Sequence, residues 1–355
     1  MKTKLLLALV ATFVIRHSSF GQGALTPPGA PAPTMKTLAQ IEPRTPIAAA
    51  PFTISQPGSY YLTTNLTGTA GNDGIIITSG NVTLDLNGFA LLGLPSSLRG
   101  IAVSGSCTNV TVRNGSVSGW GAYGVDGYSP AVNSRNQLFE HLLVSRNGGQ
   151  GISGGTGSLI RDCLSYTNRF LGIFCDGGQV RDCVATGNGS AGIYCANGQV
   201  RDSEASGNGT YGIYRVNGQV RDCVAKDNVS SGIDVVPGVV SGCLAQNNGQ
   251  SGIFVDAPGS EVTGNTCIGN NTSLAAGQAG IYVNDSKNRI EGNHVSATMG
   301  VFGIKVNSPT YVNNVVIKNT VSDNDINNYA GFAGNDFGPV GTAAASTSPW
   351  ANISH

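Results

Sequence analysis

Along the middle of the chain, apolar residues come in short alternating bursts rather than at helical spacing. In GIYC, residues 192–195, alternation places Ile193 inward and Tyr194 outward. In GQVRD, residues 198–202, Val200 points in and Arg201 out, and in CVATGN, residues 183–188, Cys183 and Ala185 point in. Gly and Asn stand between the bursts, where left-handed backbone angles let the chain bend. The pattern predicts three short strands per unit, joined by tight turns.

The unit repeats. Gly followed by Ile or Val recurs at Gly74, Gly100, Gly124, Gly151, Gly172, Gly192, Gly212, Gly232, Gly252, Gly280 and Gly303. The central five stand 20 residues apart and the outer ones 21 to 28. Leucine-rich repeats are excluded because their spaced leucines are missing, and a propeller blade needs about twice this length. A stacked solenoid remains, each unit being one coil of a parallel β-helix, with coils about 4.8 Å apart.

Stacking turns repeated residues into ladders. Asn168, Asn188, Asn208, Asn228 and Asn248 form one, in which each amide can satisfy its neighbours. Arg161, Arg181, Arg201 and Arg221 form another, flanked by Asp162, Asp182, Asp202 and Asp222. These aspartates are expected to offset the stacked guanidinium charges, as solvated pairs worth about 0–1 kcal/mol each. That expectation argues against anion binding by the arginines. Cys163/Cys183, Cys223/Cys243 and Cys175/Cys195 should stack on adjacent coils. Parallel thiols in register suit a disulfide torsion poorly, so reduced, inward-packed cysteines are expected.

The opening QPGSYYLTTNLTG, the following GNVTLDLNGFALLG, the RDCVATGNG coils and the closing SPWANISH resemble bacterial secreted right-handed parallel β-helix repeat proteins of the pectate-lyase-like superfamily. The resemblance spans roughly residues 35–355, and right-handedness is implied by it alone. The expected fold is all-β: a single-stranded right-handed parallel β-helix of about eleven coils with a short N-terminal cap helix. The superfamily holds polysaccharide lyases, glycoside hydrolases, epimerases and non-catalytic surface proteins, so it leaves activity open.

Lys2 and Lys4 before the apolar stretch Leu5 to Ile15, with small residues at Ser19 to Gly21, read as a signal peptide over 1–21. Residues 22–57 read as Pro-rich linker and N-terminal cap. The cap helix would start at Thr34, carry Met35, Leu38 and Ile41 on one face, and end at Pro43. Residues 58–330 form the β-helix and 331–355 a C-terminal cap or tail. A secreted or periplasmic protein without a later membrane span is expected. Acidic and basic residues balance at 20 each and charged residues make up 11%, which argues against a nucleic-acid partner.

The superfamily's catalytic signatures are missing: there is no Gly-His-Gly, Asp-Asp, Arg-Ile-Lys or Arg-x-Pro-x-x-Arg. His141 and His294 sit at expected turns with no obvious partner, and no metal or cofactor is expected. What remains is the outward face of the first-strand sheet. Phe174, Tyr194, Tyr214, Phe254 and Tyr282 line it as a candidate ligand-binding ridge, where sugar rings can stack on aromatic faces. Stacked aromatics also stabilise a sheet without any ligand. Asp234 and Asp256, one coil and two residues apart, lie about 8 Å from each other. That fits the ~6.5–9.5 Å spacing of inverting glycosidase carboxylates, and the competing reading is two aspartates that keep a strand soluble. Arg215 occupies a slot that alternation points inward. The function expected is carbohydrate interaction, with a polysaccharide or cell-surface glycan as partner of a monomer. The alternatives are a polysaccharide lyase or glycoside hydrolase on the same face, or a structural or adhesive surface protein.

Overall fold

The computed structural model describes residues 42–128 and 134–355, and Arg44–His355 form one compact unit. The expected leader and the helix begun at Thr34 lie outside the described residues. Strands pair in parallel throughout, from Thr45–Ile47 on Gly58–Leu62 to Thr320–Ser322 on Asn352–Ser354, and no helix occurs among the described residues. Each coil contributes one strand to each of three stacks. Ile193–Ala196, Gln199–Arg201 and Glu204–Ser206 make up one such coil.

The inward positions carry the core. Ile173, Ile193, Ile213, Ile233 and Ile253 stack in the first-strand sheet with no solvent exposure, against Val180, Val200 and Val220 of the second sheet and Ala185, Ala205 and Ala225 of the third. The glycine before each isoleucine is dictated by the stacking. A Cβ on Gly192 would sit 2.6 Å from the amide nitrogen of Asn208 and 2.9 Å from the Gly212 carbonyl of the next coil. The end rungs carry other residues there: Pro51 precedes the first, and Asn328 stands in the last, where no further rung of the first sheet follows. Counting Gly-Ile phrases therefore undercounts, and the solenoid has about 13 turns rather than eleven. Strands Thr45–Ile47 and Phe52–Ile54 start the stack within the expected linker, and Asp336–Phe337 and Asn352–Ser354 continue it into the expected tail.

Wider N-terminal coils hold a residue that the repeat pattern does not reveal. Trp120 is fully buried, donates its indole N–H to the Leu91 carbonyl at 3.2 Å, and lies where a Cβ on Gly68 or Gly74 would strike its ring.

The asparagine ladder runs from Asn147 through Asn168, Asn188, Asn208, Asn228 and Asn248 to Asn270. At each step the amide nitrogen donates to the next residue's oxygen at 2.9–3.1 Å. The same oxygen accepts the backbone N–H of the preceding asparagine, as Asn208 does from Asn188 at 3.0 Å. A second ladder, Asn265, Asn293, Asn319 and Asn352, takes over the slot that Cys163, Cys183, Ser203, Cys223 and Cys243 fill earlier. In that slot the Cys163 thiol points at the carbonyl of Arg161, 3.1 Å away. All eight cysteines are free and buried.

Two outcomes follow. Asn208→Ala strands buried donors and acceptors on both sides and should destabilise by about 1–3 kcal/mol. Val229→Ala, at an exposed position without a left-handed backbone, should stay within about 0.5 kcal/mol; urea unfolding of the two variants checks this. Thiol titration of denatured, non-reduced protein should find all eight cysteines free, and a count near two would mean three bridges instead.

Candidate functional site

The outward residues of the first-strand sheet stack in register: Ser153, Phe174, Tyr194 and Tyr214, then Asp234, Phe254, Tyr282 and Lys305. All five expected ridge aromatics fall on this line, each half-buried. Phe174 and Tyr194 stack at 5.3 Å and 18°, and Phe254 and Tyr282 at 5.4 Å and 23°. Rings packed in this way cover each other's faces and turn their edges to solvent. Between Tyr194 and Tyr214 the angle opens to 67°, which breaks the stack. Lys305 closes the far end with its ammonium 5.4 Å from the Tyr282 ring centre.

Asp234 interrupts the aromatic line. It is only 3% exposed, and its Oδ1 is buried without a hydrogen-bond partner. Burial, followed by the charge of Asp256, pushes its carboxyl up to about 7, against a smaller opposing effect of Arg215. Asp256 lies one rung and two residues on; its Oδ1 accepts from the Asn284 amide at 2.9 Å, and the Asn307 amide in turn donates to the Asn284 oxygen at 3.0 Å. The two carboxyls thus sit in different settings. Asp234 is buried with its Oδ1 unpartnered among the described residues, and Asp256 is held at the end of an amide relay.

Arg215 is an extra residue. It adopts φ 51° in a β-bulge, and Val216 takes the inward slot opposite Val235. The bulge turns Arg215 outward, where its Nε donates to the Tyr214 hydroxyl at 2.9 Å. Tyr211, in the bend before Gly212, stacks on Tyr214 at 4.3 Å and 13°. Burial and then the nearby Asp234 charge hold its phenol above the usual range, with Asp256 contributing further. The repeat pattern misses Tyr211 because it sits in a turn. Its only signal is the aromatic doublet in YGIY, residues 211–214, which no other coil repeats.

The right-handed β-helix region family model matches residues 55–201. The A-module of mannuronan C-5 epimerase AlgE6 from Azotobacter vinelandii superposes with a TM-score of 0.56 at 17% identity, covering 80% of this chain and 92% of that one. The AlgE4 A-module of the same organism gives 0.55 at 18%, covering 84% and 91%. The fold is a right-handed parallel β-helix. No curated protein matches the chain by sequence.

Elsewhere on the β-helix, Arg99 bridges two acids of the same face. It donates to Asp73 at 2.8 and 3.0 Å and to Asp126 at 3.0 Å. Burial raises the Asp126 carboxyl even against Arg99, whereas at Asp73 the Arg99 contacts outweigh burial and lower it. Asp126 and Asp234 stand five rungs apart, about 24 Å, so they act on no common atom. Tyr128 packs on Phe174 at 4.7 Å, which extends the ridge one residue toward Asp126. His141 lies 3.9 Å from Asp162, a partner that the sequence pattern does not suggest. Among the described residues no group of three or more His, Cys, Asp or Glu is placed to hold a metal.

The arginine ladder departs from expectation after its first step, where Asp162 lies 3.9 Å from Arg161. Arg161 pairs with Glu140 of the coil before it. No described carboxylate forms an ion pair with Arg181, Arg201 or Arg221. Asp182, Asp202 and Asp222 take left-handed turns at φ 50–53° and line a separate hollow with Glu204 and Val224. Asp162 takes the same turn at φ 53° and stays beside Arg161, so the turn alone does not part the later pairs.

The Asp234 setting has a testable consequence. A carboxyl that titrates near 7 when folded and near 3.8 when unfolded binds more protons in the native state between those values. It therefore adds no penalty below about pH 4, and native stability falls as pH rises through 4 to 7, at up to about 1.4 kcal/mol per pH unit. Asp234→Asn should flatten that slope and raise the melting temperature most at pH 8. Thermal scans from pH 4 to 8 check this, and parallel curves for wild type and variant would refute it.

Proposed function

We propose that this β-helix is an exported, glycan-interacting protein whose contact surface is the outward face of the first-strand sheet around Asp234. The observation that carries the reading is a nearly inaccessible carboxyl, without a partner on Oδ1, set into a line of aromatic rings. An apolar wall with a few convergent polar groups is the usual make-up of a small-molecule site, and a perturbed carboxyl within it marks a candidate functional group. The edges and open faces near Tyr194, Tyr211 and Tyr214 would contact sugar C–H groups, while Asp256 and Asn284 would take hydroxyl hydrogen bonds. Mannuronan, named for the two epimerase modules that share the fold, belongs to the ligand class such a face suits.

A second reading, cleavage of a glycan at this face, draws on the unequal carboxyls. Asp234 is neutral for part of its population near pH 7 and able to donate a proton, and Asp256 is the second carboxyl of the pair. Their spacing of about 8 Å suits attack by water on the far side of the bond. In this reading Asp234 protonates the leaving oxygen and Asp256 removes a proton from the attacking water.

The double variant Tyr194→Ala/Tyr214→Ala should weaken binding to whichever acidic or neutral polysaccharide the wild type retains by about tenfold or more. Equal retention would move the site elsewhere. In a depolymerisation screen, new reducing ends that disappear in Asp234→Asn would favour cleavage. Binding without products would leave the first reading standing.

A further inference from the structure

We propose that Arg181, Arg201 and Arg221, together with Gln179, Gln199 and Gln219, form a second binding strip on the second-strand sheet for a linear acidic glycan carrying a carboxylate or sulfate on successive sugars. This site lies on a different sheet from the aromatic ridge and does not rest on the reading of that face.

The argument begins with how the fold handles charge elsewhere in the same column. In coil order the column reads Asp85, Arg113, Glu140, Arg161, Arg181, Arg201, Arg221, Ser241 and Thr263. Its first four positions alternate in sign. Arg113 meets Asp85 at 3.2 Å, and Arg161 meets Glu140. After Arg161 the alternation stops, and three consecutive arginines stack in register with no ion pair to a described carboxylate. Like charges directly opposite each other on neighbouring strands are destabilising. The next two coils place Ser241 and Thr263 in this slot, so a neutral residue fits it.

Two further observations point to a ligand. The Nε of Arg181 is buried and has no hydrogen-bond partner. The glutamines border a concave surface, and Arg201 and Arg221 line a hollow beside it. A trough of about 460 Å³ is floored by Gly157, Gly178, Gly198 and Gly218 and edged by the three glutamines, and a smaller hollow of about 180 Å³ between Gln199, Gln219, Arg201 and Arg221 adjoins it. The trough is open because the glycines must be glycines: a Cβ on Gly198 or Gly218 would lie 2.3 or 2.0 Å from the carbonyl of the coil before it. The glutamines are exposed and their side chains make no hydrogen bond within the described protein, so their amides are free to donate and accept.

The chemistry selects the ligand. A guanidinium offers two parallel N–H groups that match a carboxylate or sulfate, and a primary amide matches a sugar hydroxyl in either sense. The pair recurs at about 4.8 Å, a step comparable to one residue of an extended pyranose chain. A ligand with one anion per sugar would place each charge on a guanidinium and relieve the stacked repulsion. Nucleic acid is disfavoured because a strip of three cations on a neutral chain supplies little counterion release.

The test uses the full exported chain. Wild type, Arg181→Thr/Arg201→Thr/Arg221→Thr and Arg201→Glu are compared by calorimetry for binding to polygalacturonate, a sulfated glycan, neutral dextran and sheared duplex DNA. Wild type should bind one of the acidic glycans with an affinity that falls as salt rises, and the triple variant should lose about tenfold or more. The loss in the triple variant should fall in the salt-sensitive component of binding, which separates this strip from contact with the aromatic ridge. Arg201→Glu restores the alternation seen at Arg113, Glu140 and Arg161, so its melting temperature should rise while binding falls. The polygalacturonate and sulfated arms tell which anion is preferred. The proposal fails if neither acidic glycan binds wild type, if DNA or dextran binds as tightly as the better acidic glycan, if the folded triple variant binds as wild type does, or if Arg201→Glu leaves affinity unchanged.

Discussion

Parallel stacking in register sets the terms for every other feature of this protein. When coils of equal length lie about 4.8 Å apart, each side chain meets its own counterpart above and below. A residue type therefore succeeds or fails by how well it pairs with itself. Isoleucine and valine do so by packing, as at Ile193 on Ile213. Asparagine does so because its amide is both donor and acceptor, which lets Asn188, Asn208 and Asn228 bond one another while each also donates to a backbone carbonyl of the coil before it. Glycine before the isoleucine is required because the next coil's carbonyl fills the space a Cβ would need.

Charge is what this arrangement handles worst, since no ionised group pairs with itself. The β-helix resolves the problem in three visible ways. It alternates sign along a column, as at Asp85, Arg113, Glu140 and Arg161. It pairs across neighbouring coils at Glu204 and Lys226, 3.1 Å apart. It bridges two acids with one base at Asp73, Arg99 and Asp126. Asp234 and the stacked Arg181, Arg201 and Arg221 fall outside all three. Both carry a folding penalty that no hydrogen bond or ion pair among the described residues removes, and such positions are where function concentrates on an otherwise regular scaffold.

The two exceptions differ in kind. Around Asp234 the regular coil is locally broken: Arg215 adds a residue, the strand bulges, and Tyr211 leans onto Tyr214 from the preceding turn. A bulge redirects side chains without disturbing the core, since Val216 takes the slot that Arg215 leaves. The arginine strip has no irregularity at all. It repeats without change over coils of 20 residues, as a surface facing a periodic polymer would.

Much of this was legible in the chain itself, because a solenoid writes its structure at one short period. The spacing of Gly-Ile, the alternation inside GQVRD and the recurring asparagine determined the class of fold, the inward and outward faces, the asparagine ladder and the line from Phe174 to Tyr282. Spacing could not show the outer rungs at Phe52 and Tyr329, which do without the glycine phrase, or Trp120, which packs by shape within coils of irregular length. It also misjudged the arginines. Adjacency in sequence made Asp182 look like the partner of Arg181, but an ion pair forms only at the first such step, between Arg161 and Asp162. Only the tertiary structure decided how buried Asp234 is and that Tyr211 stands near it. Burial and proximity belong to three-dimensional neighbours, and a periodic sequence specifies those only where the period holds.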